Sequence, residues 1–313
     1  MNNKFKKLNV FRRLSMPLDE LEAYYREKRE HDKDKEIKYV GLRKFYSNIF
    51  RFILCLNRHA EKRKYVIVGD KRRKSDKAHI YANTHYGEID GLVAYEALKD
   101  HCYWFWGDVG EYYKKIDYPI VCMNGTVVVD TWDKTDRHNA RNTAIKVLKK
   151  KANLMFFPEG TWNITEAKPV MYLFPGAADM AIESGAEIIP VGIELYGDTY
   201  YINIGENISS EGYTQETKYE LTAVIRDAMA TLKWEIWEQY GKMKRADLPE
   251  NASELWQNKY EQLCIKMLFP MEKLRKSMYI DKKDVEMWEV QSIRDNLIPS
   301  RAKAFLFSKR NHG

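Results

Sequence analysis

Cysteine is scarce in this chain. Its four copies, Cys55, Cys102, Cys122 and Cys264, are scattered over 313 residues with no C-x-x-C pair. That spacing excludes a disulfide framework or a zinc knuckle as the organising device and makes a reducing cytoplasm the expectation. Long apolar runs are also missing: none reaches the ~18 residues a membrane-spanning helix needs. The first residues are polar and basic, without the apolar stretch of a secretory signal. Any contact with a membrane is therefore expected at its surface. There is no internal repeat and no low-complexity tract. No G-x-S-x-G turn occurs, which removes serine hydrolases of that type. His79, His85, Glu88 and Asp90 lie near one another in the sequence, but the H-x-H and H-E-x-x-H spacings are absent, so no metal is expected.

What is present is charge and aromatic bulk. The net charge is +7, from 52 basic and 45 acidic residues, with 44% apolar and 13% aromatic residues. Such a chain can bury a sizeable core, and its basic excess suits an anionic partner. The cations cluster: Lys62, Arg63 and Lys64, then Lys71 to Lys74, with Lys4, Lys6, Lys7, Arg12 and Arg13 at one end and Arg301, Lys303, Lys309 and Arg310 at the other. No nucleic-acid-binding motif accompanies them, so no nucleic acid is expected as partner.

Residues 1–40 are dominated by charge. Met16 to Glu20 reads as a helix start, and Glu20 to Lys33 as a polar helix or a partly disordered stretch. In the segment that follows, Leu42, Phe45, Tyr46, Ile49, Ile53 and Leu56 recur at helical spacing, flanked by Arg43 and Lys44 and by Arg58 and Lys62–Lys64. Two readings stand: a helix packed on the core, or an interfacial helix with aromatics at headgroup level and cations against anionic lipid.

From residue 65 the pattern alternates between short β-rich runs and helical stretches. Strands are predicted at Tyr65–Val68, His79–Asn83, Cys102–Trp106, Thr126–Val129, Leu154–Phe157, Ile188–Leu195 and Tyr200–Ile204. Helices are predicted at Gly91–Leu98, Arg137–Lys151 and Gly176–Ser184. The alternation implies an α/β fold, a mostly parallel central sheet flanked by helices, with N-terminal and C-terminal helical extensions. Helices are predicted after the sheet at Gln215–Tyr240, Ser253–Met278 and Lys282–Asn296, with residues 245–253 as a linker. The expected division is 1–64, an N-terminal helical and possible membrane-interfacial segment; 65–212, the α/β core; and 213–313, the C-terminal extension.

His85 and Asp90, in "THYGEIDG", fall on a predicted strand-to-helix turn at the carboxyl end of a strand, where open α/β sheets gather ligand sites. A histidine there can act as general base. A nearby carboxylate can fix its tautomer and stabilise the imidazolium that forms. The simpler reading of H-x-x-x-x-D alone is a loop histidine beside an aspartate that caps the following helix. Three further stretches bear on the choice: "NGTVVVD" from Asn124, "FPEGT" from Phe157 after a buried-looking strand, and "IPVG" from Ile189.

In this order and spacing, His85–Asp90, Gly125–Asp130, Phe157–Thr161 and Ile189–Gly192 resemble the glycerolipid acyltransferase family, which includes the 1-acyl-glycerol-3-phosphate acyltransferases. The resemblance covers roughly residues 65 to 205. It implies an O-acyltransferase of phospholipid biosynthesis that moves a fatty acyl group from a thioester on coenzyme A or an acyl carrier protein to a hydroxyl of a lipid acceptor. It also implies His85 as general base, Asp90 as its orienting acid, and main-chain amides near the third block as oxyanion donors. Glu159, Gly160, Thr161 and Trp162 would bind the acceptor or shape the loop. No permanently bound cofactor is implied, and the protein is expected at the cytoplasmic face of the membrane, peripheral or monotopic. The alternative is a non-catalytic lipid-binding protein on the same fold.

The chain departs from the family's phosphate-using members at three places. Thr131, Trp162 and Pro175 stand where those members carry a basic residue. Two readings follow: an acceptor without phosphate, such as a glycolipid, or charge supplied from a shifted position by Arg137 first, or by Lys114, Lys115, Lys134 or Lys168. "CYWFWGDVGEYY", from Cys102 to Tyr113, is expected mainly in core and sheet packing.

Overall fold

The structure, a computed structural model, describes residues 8–32, 37–241 apart from 88, 108, 117, 166 and 167, and 249–278 apart from 268. The helix expected at Lys282–Asn296, the basic residues Lys4, Lys6, Lys7, Arg301, Lys303, Lys309 and Arg310, and the first half of the expected linker lie outside the described residues. The chain leads in through α1 (Val10–Ser15), α2 (Leu18–His31) and α3 (Val40–Ala60). The core follows as β1 (Lys64–Asp70), β2 (His79–Asn83), α4 (Asp90–Leu98), β3 (Cys102–Trp106), α5 (Val109–Lys114), α6 (Tyr118–Asn124), β4 (Thr126–Val128), α7 (Lys134–Lys149), β5 (Asn153–Phe156), α8 (Gly176–Ser184), β6 (Glu187–Tyr196) and β7 (Thr199–Ile204). Three helices close the described chain: α9 (Lys218–Tyr240), α10 (Ala252–Met267) and α11 (Met271–Ser277).

The fold is α/β. Among the described residues, seven strands form one sheet in the order β1-β7-β6-β2-β5-β3-β4. Every neighbouring pair is parallel except β6 and β7. The period of two is visible in the packing. Ile80, Ala82 and Leu154 face a cluster with Ala144 and Leu148 of α7, Ala177 of α8 and Met229 of α9. Tyr81 and Met155 face the other way, toward Phe50 and Leu54 of α3 and Val93 and Leu98 of α4. Successive side chains of a strand point to opposite faces, so helices cover the sheet on both sides.

The antiparallel pair has a consequence for the site. β6 turns into β7 over two residues, Gly197 and Asp198, with Tyr196 opposite Thr199 and Gly197 at φ +58°, as a tight hairpin requires. β1 runs parallel to β7. Both therefore begin at the rim where the parallel strands end, and Arg63, just ahead of β1, is carried to the same rim as His85.

Two glycines and a proline explain themselves locally. A Cβ on Gly192 would sit 2.9 Å from the Leu232 Cβ and 3.0 Å from its carbonyl carbon, so the bare glycine lets α9 close onto β6. Pro190 lies inside β6, although proline cannot donate to a ladder. Ile188 exchanges both main-chain bonds with Ile208, so the nitrogen two residues later faces that same side. The chain has left the ladder there, and only Gly205 N–H reaches in, to Pro190 O at 2.9 Å. The missing donor of Pro190 thus falls in a gap of the pairing. Gly125, at φ +106°, packs directly under the Tyr103 ring.

Three expectations need correction. The single helix over Ser253–Met278 is two, because Pro270 has no amide to continue α10 and stands at the N-cap of α11. The aromatic run contains a helix that its sequence did not announce, α5, whose Tyr112 and Tyr113 are buried; Tyr113 stacks on Tyr25 of α2 at 3.5 Å. And α3 divides its apolar residues. Phe50 (1% exposed) and Leu54 are buried, each adding about 1.5–3 kcal/mol to folding. Leu42, Phe45 (69%), Ile49, Phe52 (64%) and Leu56 are exposed and add little. Their spacing of three and four draws a continuous apolar stripe on the outer face.

Candidate active site

β2 ends at Asn83, and the chain crosses to α4 through the turn that holds His85. Thr84 ties the start of this turn to β6: its N–H donates to Val191 O at 3.0 Å, and its Oγ1 accepts from Ile193 N at 2.8 Å. Asp90 is the first residue of α4, not its N-cap, which is Ile89. Its side chain, 2% exposed, turns back into the loop. Asp90 Oδ2 meets His85 Nδ1 at 2.8 Å and accepts from Tyr86 N at 2.7 Å and Gly87 N at 2.9 Å. The expected cap is thus corrected: this carboxylate gathers the turn around the imidazole. A carboxylate only accepts, so His85 Nδ1 carries the proton in this contact and Nε2 is left with its lone pair. The His85 side chain is 21% exposed. Gly87 makes the turn possible. Its φ is +108°, and a Cβ there would meet Leu263 at 3.0 Å and Trp162 at 3.2 Å.

The third block clasps the same histidine by its backbone. Glu159 is fully buried. Its Oε1 accepts from His85 N and its Oε2 from Met171 N, both at 2.9 Å. Burial pushes the Glu159 carboxyl up, and the two amides, with Lys233 nearby, pull the other way. Lys233 is itself buried in a pair with Glu194 at 3.0 Å. From the other side, Asn163 N donates to His85 O at 2.8 Å. The ring packs against Phe157, with centroids 4.3 Å apart, and meets Trp162 edge-on at 6.3 Å. Gly160 sits at φ +74° under the Phe174 ring, and Thr161 is buried. Glu159, Gly160, Thr161 and Trp162 thus belong to one loop at the His85 turn. Two of its amides are already spent, Gly160 N on Phe157 O and Asn163 N on His85 O, so neither is available to an oxyanion.

Arg137 stands apart. It is exposed and donates to Thr131 O at 2.6 Å. Asp130, at the end of the second block, pairs with Arg26 of α2 and accepts from Trp132 N at 2.9 Å. Asp136 is held by Arg29 at 2.6 Å. The second block and the start of α7 are therefore tied to α2. Among the other cations considered, Lys115 lies over the Trp106 ring and Lys168 over the Tyr172 ring, each at 5.0 Å.

Several neighbours of the pair were not visible in the sequence reading. Asn163 locks its loop, with Nδ2 donating to Lys168 O at 3.0 Å and Oδ1 accepting from Thr165. A short polar side chain after "EGTW" was the available signal. The C-terminal helices supply the rest: Tyr260 Oη donates to Asn163 O at 2.7 Å, Trp256 Nε1 to Ile164 O at 3.2 Å, Lys259 Nζ to the Tyr86 hydroxyl, and Phe269 packs on Trp162 at 5.5 Å. Nothing in sequence links residues so distant. Among the described residues no cluster of three or more His, Cys, Asp or Glu is arranged to hold a metal, and no helix is long and apolar enough to cross a membrane.

Comparison with known proteins places this geometry in context. No curated protein matches the chain. It is similar to the crystal structure of the 1-acyl-sn-glycerophosphate acyltransferase PlsC from Thermotoga maritima, at 17% identity, over 75% of this chain and 88% of that one, with a TM-score of 0.45. Residues 64–194 match the family model described as Acyltransferase. That stretch begins with β1, contains the His85–Asp90 turn and the Glu159 loop, and ends within β6, so the similarity to the acyltransferase family spans the candidate site.

Proposed function

We propose that this acyltransferase moves a fatty acyl group from a thioester, on coenzyme A or an acyl carrier protein, to a hydroxyl of a lipid acceptor. The observation that carries the reading is the 2.8 Å contact between His85 Nδ1 and Asp90 Oδ2, which leaves Nε2 to act as a base on a side chain that is 21% exposed. Nε2 takes the proton of the acceptor hydroxyl as its oxygen attacks the thioester carbonyl. The tetrahedral intermediate collapses, the C–S bond breaks, and the imidazolium returns the proton to the leaving thiolate. Asp90 holds the ring and steadies its positive charge. A base so placed contributes about 10²–10⁴-fold in rate. No covalent acyl-enzyme is required.

The protein acts in this reading as a peripheral or monotopic enzyme at the cytoplasmic face of a membrane, lying on it through the outer stripe of α3. The flanking cations are turned to the protein instead, Arg58 onto Glu96 at 2.9 Å and Arg43 onto Cys122 O at 2.6 Å, so the apolar stripe carries this reading.

The test is acyl transfer from acyl-CoA and from acyl carrier protein to a panel of lysophosphatidate, lysophospholipids, glycolipids and sterol-like alcohols, with His85→Ala beside the wild type. The expected result is transfer to at least one acceptor, lost in His85→Ala. No transfer to any acceptor, with lipid binding retained, would leave the non-catalytic lipid binder.

A further inference from the structure

Trp256, Lys259, Tyr260 and Leu263 fall at the spacing of one face of α10, and that face meets two loops at once. Toward the histidine turn, Lys259 Nζ contacts the Tyr86 hydroxyl and Leu263 packs against Gly87. Toward the third block, Trp256 Nε1 donates to Ile164 O at 3.2 Å and Tyr260 Oη to Asn163 O at 2.7 Å. The last contact bears on the base. His85 is held at both main-chain ends by this one loop, its N–H by Glu159 and its carbonyl by the Asn163 N–H. Glu159 is fixed in turn by Met171 N. Asn163 is fixed by side-chain bonds within the loop, to Thr165, Lys168 and Pro169, and from outside the loop by Tyr260. Tyr260 is 2% exposed. Burial, then Tyr86 and the acids Glu194, Glu159 and Asp90, push its phenol up, so the hydroxyl keeps the proton it donates. The residue lies beyond position 194, where the family match ends.

We propose that Tyr260 is a positioning residue for His85: from α10 it anchors Asn163, and through the Asn163 N–H it sets the histidine's peptide and so the direction of Nε2. Asn163 spends both main-chain groups on this relay, its oxygen on the helix and its nitrogen on the histidine. Asp90 fixes the rotation of the imidazole, but a ring is aimed no better than the backbone that carries it. The loop from Phe157 to Asn163 has no helix or strand of its own, and α10 supplies the rigid element that such a site needs. The role deepens the acyl-transfer reading and rests on it for the reaction.

The test uses the full chain. Tyr260→Phe removes only the hydroxyl and keeps the ring on Trp256, whose centroid lies 5.3 Å away; Trp256→Phe, the comparison, removes the neighbouring bond to Ile164 O. Rates are read where urea unfolding shows each protein fully folded. Tyr260→Phe is expected to lower kcat by about ten- to hundredfold with KM within about twofold of wild type, the scale of a reacting group displaced by up to ~1 Å. Trp256→Phe is expected to lower kcat far less. Hydrogen exchange of the Asn163 amide reports its bond to His85 O without any substrate, and is expected to be about tenfold faster in Tyr260→Phe than in wild type. Wild type that transfers no acyl group, with that exchange faster in Tyr260→Phe, keeps the anchor on the histidine's peptide and removes the reaction. Unchanged exchange overturns the anchor, with or without activity. Unchanged kcat in the folded variant overturns the positioning role and leaves the reaction standing. So does an equal fall in both variants, which assigns the effect to the docking of α10 as a whole.

Discussion

His85 and Glu159, 74 residues apart, are joined main chain to side chain, the amide of the histidine donating to the buried carboxylate at 2.9 Å. The acid therefore positions the base through the backbone, while Asp90 orients its ring. Two carboxylates serve one histidine without touching the same atom of it.

His85→Ala is expected to lower kcat by about 10²–10⁴-fold with little change in the urea midpoint, because its ring is partly exposed. Asp90→Asn should lower both. Its amide cannot accept at both oxygen positions, so an NH₂ group must face a main-chain donor, at a cost of about 1–3 kcal/mol. Initial rates with a thioester donor and urea unfolding separate the two effects.

Glu159 gives a stability signature. Burial raises its folded pKa above the ordinary 4.5, so the folded chain holds the proton more tightly than the unfolded one. That contribution is complete below the unfolded value and is lost as pH rises through the folded one. Urea unfolding from pH 4 upward should show this decline in the wild type and a flatter profile in Glu159→Gln. The variant should also be less stable by about 1–3 kcal/mol, since its NH₂ faces an amide of His85 or Met171. Equal slopes in both proteins would remove Glu159 as the source.

Gly87→Ala should destabilise by about 1–3 kcal/mol, from a left-handed backbone and a crowded Cβ together. Adding Leu263→Ala relieves only the crowding on that side, so partial recovery relative to Leu263→Ala alone is expected in a double-mutant cycle. Full additivity would mean that Leu263 contributes nothing to the strain.

The outer stripe of α3 predicts a separation of binding from folding. Phe45→Asp, Ile49→Asp and Phe52→Asp together should cut sedimentation with anionic vesicles by at least about tenfold, given the apolar area lost from the interface. The urea midpoint should stay near wild type, because these side chains are already in water. Unchanged partitioning would take α3 off the membrane.

Much of the sheet was legible because its strands are short, apolar and bounded by turn residues; β2, β3 and α8 fall at their predicted limits. The His85–Asp90 contact was legible too, since five residues across one turn bring the side chains together. The α3 face was read less well. Helical spacing in the sequence points to Ile53 and passes over Phe52, yet Ile53 is half-buried and Phe52 lies outside. A helix apolar on two sides does not announce which side the core takes. The clasp by Asn163 and the cover from Trp256, Lys259, Tyr260 and Phe269 depend on tertiary contacts between residues far apart, which no local pattern encodes. Arg137 has the charge and the helix position that suggest an anion site, but its guanidinium is engaged with Thr131.

The two ends of the sheet are guarded in different ways. β4 is three residues long and fully buried, with Val128 clustered against Leu21 and Tyr25 and α2 fastened beyond it through Arg26 and Arg29. β1 is longer and more open, but it begins at Lys64, is followed by Lys71, and breaks register between Ile67 and Gly69. Neither border offers another molecule a long, flat row of amide and carbonyl groups to template on. At high local concentration, this design favours separate molecules over fibrous stacking.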